Sequence, residues 1–314
     1  MTRLLSLTAL IALTGCATDD TTDDNMDMTT ETSEAVPTTG TETSETNTDP
    51  GSIIDVAASV GTFETLLAAV DAAGLTSTLD EGGPFTVLAP TDDAFAALPD
   101  GTIEALLDDT DTLTDILLYH VVDGTVPAAD VQAFSLVPTL QGSDVKVTVD
   151  GDVFLNDAQV TAADVMANNG IIHVIDTVLI PPGSITDIAV ADPNFSTLVT
   201  ALTAADLATT LDGDGPFTVF APTNAAFDAL PAGTLDSLLE DIPALTDVLL
   251  FHVTDDKLVA SDVISADLVA MLSGDSAPVT ETNGQFFIDD SPISITDIPA
   301  SNGVIHVIDA VMIP

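Results

Sequence analysis

The chain has 314 residues, 46% of them hydrophobic, with 51 acids against 3 bases and a formal charge of -48. That length suggests about two domains, and so anionic a surface, with no basic stripe, excludes nucleic acid and anionic lipid headgroups as partners. Asp outnumbers Glu 42 to 9, and adaptation to a salty medium competes with plain solubility as the origin of the excess.

In chain order, Arg3 precedes an apolar run from Leu4 to Leu13, too short for a bilayer that takes about 20 residues. Residues 1–15 read as a signal peptide. The run Leu13-Thr14-Gly15-Cys16 resembles the bacterial lipobox, so Cys16, the single cysteine, is the expected lipidation site. A lipid anchor there is the one expected link to a membrane and places the protein in the cell envelope, outside the cytoplasm. Residues 16–50, rich in Thr, Asp, Glu and Ser, cannot build a core and read as an acidic tether, with a reach on the order of 30 Å.

Beyond the tether the chain repeats itself. FTVLAPTDDAFAALP, from Phe85 to Pro99, returns as FTVFAPTNAAFDALP from Phe217 to Pro231, with 11 of 15 positions identical at an offset of 132. A period that long leaves each copy room for its own core. The expected domains are residues 51–181 and 183–314, closely coupled because only Pro181, Pro182 and Gly183 separate one copy's last strand from the next copy's start.

Each copy opens on an amphipathic helix, with Phe63, Leu66, Leu67 and Val70 on one face and Gly74 as its stop. In the second copy Phe195, Leu198, Val199 and Leu202 match, and Asp206 replaces the glycine, which predicts a weaker ending. The repeated phrase is a strand-to-helix corner, with Thr91 or Thr223 as helix cap. LTDILLYHVV and LTDVLLFHVT predict a further helix, with Leu113, Ile116, Leu117 and His120 on one stripe. Asp150-Gly151 and Asn283-Gly284 predict type I′ hairpins. The offset becomes 133 there, which suggests an inserted residue between the positions matching Gly142 and Asp150, and Pro278 suggests an edge strand. NGIIHVIDTVLIP and NGVIHVIDAVMIP read as the closing strands, from Asn169 to Pro181 and from Asn302 to Pro314.

FTVLAPTDDAF, then LLYH, then NGIIHVIDTVLIP, in that order in both copies, resembles the fasciclin domain of secreted and surface-anchored adhesion proteins. The resemblance covers residues 52–314 and implies a mixed α/β (α+β) fold, two tandem domains each with a wedge of strands and surrounding helices. It further implies adhesion to a protein or polysaccharide surface partner in a matrix or biofilm. The alternative is an envelope module that binds a specific protein or small ligand between the domains. In animal members a Tyr-His pair is associated with adhesion, which makes Tyr119, His120, Phe251 and His252 candidate partner-binding residues. A core role competes, since a histidine on an apolar helical stripe commonly finds a buried hydrogen-bond partner.

No catalytic motif is present, so neither an enzyme nor a cofactor is expected. The four histidines, His120, His173, His252 and His306, occupy matching places, but none has metal-ligand spacing, and no metal site is expected. Asp212-Gly213-Asp214-Gly215 resembles part of a calcium loop and reads as a turn, because Pro216 and Phe217 stand where further ligands would be needed.

Overall fold

The computed structural model describes residues 50–99 and 101–314; the leader, Cys16 and the acidic run through residue 49 lie outside the described residues. Two seven-stranded sheets follow one another along the chain. The first contains β1 (Phe85–Pro90), β2 (Val121–Asp123), β3 (Leu136–Pro138), β4 (Asp144–Asp150), β5 (Asp152–Leu155), β6 (Ala158–Ala167) and β7 (Gly170–Ile175). The second contains β8 (Phe217–Pro222), β9 (Val253–Thr254), β10 (Leu268–Ala270), β11 (Ser276–Thr282), β12 (Gln285–Ile288), β13 (Ser291–Ala300) and β14 (Gly303–Ile308). The strand order is β2-β1-β7-β6-β5-β4-β3 in one and the equivalent β9-β8-β14-β13-β12-β11-β10 in the other.

The parallel pair β1/β7 sits inside the sheet, with Phe85 opposite Gly170 and Pro90 opposite Ile175. Strands buried on both faces read as continuous apolar runs, and FTVLAP and GIIHVI do so because a different core covers each face. Helices 53–60, 64–72 and 110–119, with Phe63 at the cap of the second, pack Ile53, Phe63, Leu66, Leu113 and Leu117 against Val87 and Ile172. On the other face the sheet curls into a barrel-like shape around Leu88, Val122, Val145, Leu155, Ile175 and Leu179. Residues 185–312 build the same two cores again.

Five expectations change. LTDILLYHVV is helix only to Tyr119, since Val121-Val122 pair with β1 as a strand. The closing strands end at Ile175 and Ile308, after which residues such as Val178 and Leu179 leave the sheet to plug the two cores. Asp150 lies opposite Asp152, so the first hairpin turns on Gly151 alone, whereas Asn283 and Gly284 both have positive φ, as type I′ requires. Lys146 and Pro278 face the same partners, Leu136 and Leu268, so the offset remains 132 through that strand and the extra residue lies at the hairpin tip. Pro278 is not on an edge: β11 lies between β10 and β12. The corresponding Lys146 N–H donates to the Asn156 side chain rather than to a neighbouring strand, so the ladder does not need a donor at that position.

Candidate functional site

The Tyr-His pair ends the helix 110–119, whose apolar stripe turns it into the core. Tyr119 is fully buried and His120, Phe251 and His252 nearly so. Leu179 N–H donates to His120 Nε2 at 3.0 Å, so Nδ1 carries the proton and donates to the Ile116 carbonyl at 2.7 Å. His252 repeats this with Met312 N–H and the Val248 carbonyl. Burial drives both rings down to about 4, because a charged imidazole there would lose its hydration. The two rings hold the segments that follow β7 and β14 against the helix.

The second histidine pair has an equally complete set of bonds. His173 Nε2–H donates to the Val126 carbonyl at 2.9 Å, and its Nδ1 accepts from Asp164 N–H at 3.3 Å. His306 does the same with Leu258 and Asp297. Burial also lowers the His306 pKa, with the Lys146 ammonium pushing the same way and Asp297 opposing. Asp164 and Asp297 adopt left-handed conformations at irregularities of β6 and β13, where each can aim its N–H at a ring. Their carboxylates accept from Ala128 and Ala260 N–H at the starts of short helices. Among the described residues, no group of three or more His, Cys, Asp or Glu side chains could hold a metal ion. Asp212 closes the helix 208–211, and its carboxylate accepts from the Thr186 hydroxyl, so the Asp-Gly-Asp-Gly stretch is a turn.

Tyr119 and Phe251 part company at the hydroxyl. Tyr119 donates to the Asp144 carbonyl at 2.7 Å and accepts from Asn156 Nδ2 at 3.0 Å, and burial pushes its pKa up to about 12. Tyr119 and Asn156 line a cleft of about 610 Å³ together with Lys146, Thr148 and Leu179 from the first copy and Ile298 and Pro299 from the second. Between the two copies, Lys146 Nζ donates to the Thr296 carbonyl at 2.8 Å, and Lys257 pairs with the buried Asp144 carboxylate. Nothing in the local sequence patterns around Asp144, Lys146 and Lys257 marks them as meeting; the scarcity of the two lysines in an acidic chain was the available signal.

The fasciclin domain profile matches residues 61–181 and 193–314. A Synechocystis protein, sll1483, is 48% identical over 180 residues, covering 56% of this chain and 96% of that protein. Transforming growth factor-beta-induced protein ig-h3 of Sus scrofa is 26% identical over 383 residues, covering 81% of this chain and 56% of its own length. Periostin of Homo sapiens is 28% identical over 250 residues, covering 78% of this chain and 30% of its own length. The chain thus spans little over half of one animal relative and under a third of the other. A solved FAS1 domain pair from the insect cell adhesion molecule fasciclin I aligns over 82% of this chain and 98% of that chain, with TM-score 0.39 and 21% identity.

Proposed function

The chain belongs to the fasciclin domain family, and from that premise we propose a non-enzymatic adhesion protein of the cell envelope, exposed outside the cytoplasm and binding a protein or polysaccharide surface in a matrix or biofilm. Cys16 carries the lipid anchor in this reading, and residues 16–50 lift the domains at 51–181 and 183–314 off the membrane. The observation that carries it is the saturation of the conspicuous polar residues: all four imidazoles and the Tyr119 hydroxyl are bonded to other groups of the same chain. With these groups engaged inside the fold, this reading gives the Tyr-His and Phe-His pairs a core role and assigns binding to the outer surfaces.

A second reading, a small ligand held between the copies, draws support from the cleft of about 610 Å³. Its Tyr119 and Asn156 groups are already bonded to each other, which favours adhesion. The test compares attachment and aggregation of cells with and without the protein. A several-fold loss of attachment on deletion, reproduced when Cys16→Ala releases the protein from membranes, is the expected result. Unchanged attachment in the deletion strain overturns the adhesion reading.

A further inference from the structure

Residues 51–181 carry 21 acids and residues 183–314 carry 20, against one lysine each, Lys146 and Lys257. Two bodies so charged repel one another, yet both lysines lie where the bodies meet. Lys146 reaches from β4 to the Thr296 carbonyl on β13, and Lys257 reaches back to the Asp144 carboxylate on β4.

The residues behind these contacts are held from within. The loop that presents Lys257 is pinned on both sides of it: Thr218 Oγ1 donates to the Asp256 carbonyl and accepts from Leu258 N–H, while His306 takes the Leu258 carbonyl. The same His306 accepts from Asp297 N–H, next to the Thr296 carbonyl that Lys146 uses. One buried ring therefore fixes the approaches to both contacts. On the other side Tyr119 holds the Asp144 carbonyl.

The first copy has the same scaffold without the charges. Thr86 and His173 pin its loop at Gly124 and Val126, but Thr125 occupies the place of Lys257. In the second copy Ser276 and Pro278 stand at the places of Asp144 and Lys146, Phe251 at that of Tyr119, and Asp289 at that of Asn156. Exposure follows the same division. Asp144 and Asp297 are each 3% exposed, whereas their counterparts Ser276 and Asp164 are open to solvent. A contact that uses a different face on each partner is heterologous, and between identical copies it would repeat into a ring or filament; a contact confined to two copies requires them to diverge at those faces.

We propose that Lys146 and Lys257 are a pair of clamps that lock the two domains into one fixed head-to-tail arrangement, with Asp144, Tyr119 and His306 as their positioning residues. The domains then present one continuous surface to a partner instead of two that move independently. Because Thr125, Ser276 and Pro278 remove the charges from the two unused faces, the contact stops at the pair and does not propagate from molecule to molecule.

Residual dipolar couplings of the isotope-labelled full chain in a weakly aligning medium test this. One alignment tensor is expected to fit the amides of both domains in the unaltered protein, and Lys257→Arg, which keeps the charge, is expected to retain it. Lys146→Gln with Lys257→Gln is expected to need two tensors while each domain keeps its dispersed spectrum. Asp144→Asn is a second way of breaking the contact and should give the same loss. Two tensors in the unaltered protein, or a single shared tensor in the folded double variant, overturns the proposal, as does concentration-dependent self-association of the unaltered chain through these faces.

Discussion

His120 and His252 are each the acceptor for one backbone N–H and the donor to one carbonyl, a pair of bonds that only the neutral ring can make. Their pKa values near 4 lie below the ordinary 6.5, so the unfolded chain binds more protons between those limits. Stability contributed by the rings is complete above about pH 6.5 and falls as pH drops toward 4, by up to roughly 3 kcal/mol per ring. Urea midpoints are expected to fall between pH 7 and 4.5, with ring carbon shifts of both histidines unchanged down to about pH 5; rings that titrate near 6.5 sink the assignment. The sequence exposed the choice between core and partner for these residues, because the stripe through Leu113, Ile116 and Leu117 runs straight into His120. It could not reveal the bond to Leu179, 59 positions away.

The Asn-Gly corner before the last strand of each copy joins three elements. In the second copy Asn302 accepts from Ile185 N–H and donates to the Leu211 and Gly213 carbonyls, tying the first helix and the turn before β8 to the sheet. Removing that side chain strands three backbone groups, and Asn302→Ala is expected to cost on the order of 2 to 4 kcal/mol in urea unfolding. A Cβ on the following Gly303 would lie 1.9 Å from the Phe217 carbonyl oxygen. Gly303→Ala must therefore push β14 from β8 and is expected to cost about 3 kcal/mol or more; a variant within 1 kcal/mol of the parent, on that same scale, would refute the close approach. Gly74 makes the contrast, since no atom lies near its missing Cβ and Asp206 adopts the same left-handed turn at the matching place. Strands, caps and hairpin sites were legible from period and turn residues. The helix Ile53–Val60, with its Ser52/Asp55 capping box, went unread, as did the true ends of the closing strands, where burial in two cores overrides an unbroken apolar run.

For the whole molecule, charge is the dominant quantity. At -48, the carboxylates repel over about 10 Å in 0.1 M salt but only about 3 Å in 1 M, so the melting midpoint is expected to rise from dilute buffer to molar potassium chloride. An unchanged midpoint would remove adaptation to salt as the reason for the acids. The same repulsion is what the lysine contacts oppose. By itself the sequence determined the duplication, the mixed helix-and-strand character of each copy, the family and the sign of the surface, because periodicity, turn chemistry and composition are local or additive properties of the chain. Only the tertiary structure decided that the histidines are saturated, that Pro278 is internal, and that Asp144, Lys146 and Lys257 meet. Those facts depend on which distant segments share a surface, and no local pattern carries that information.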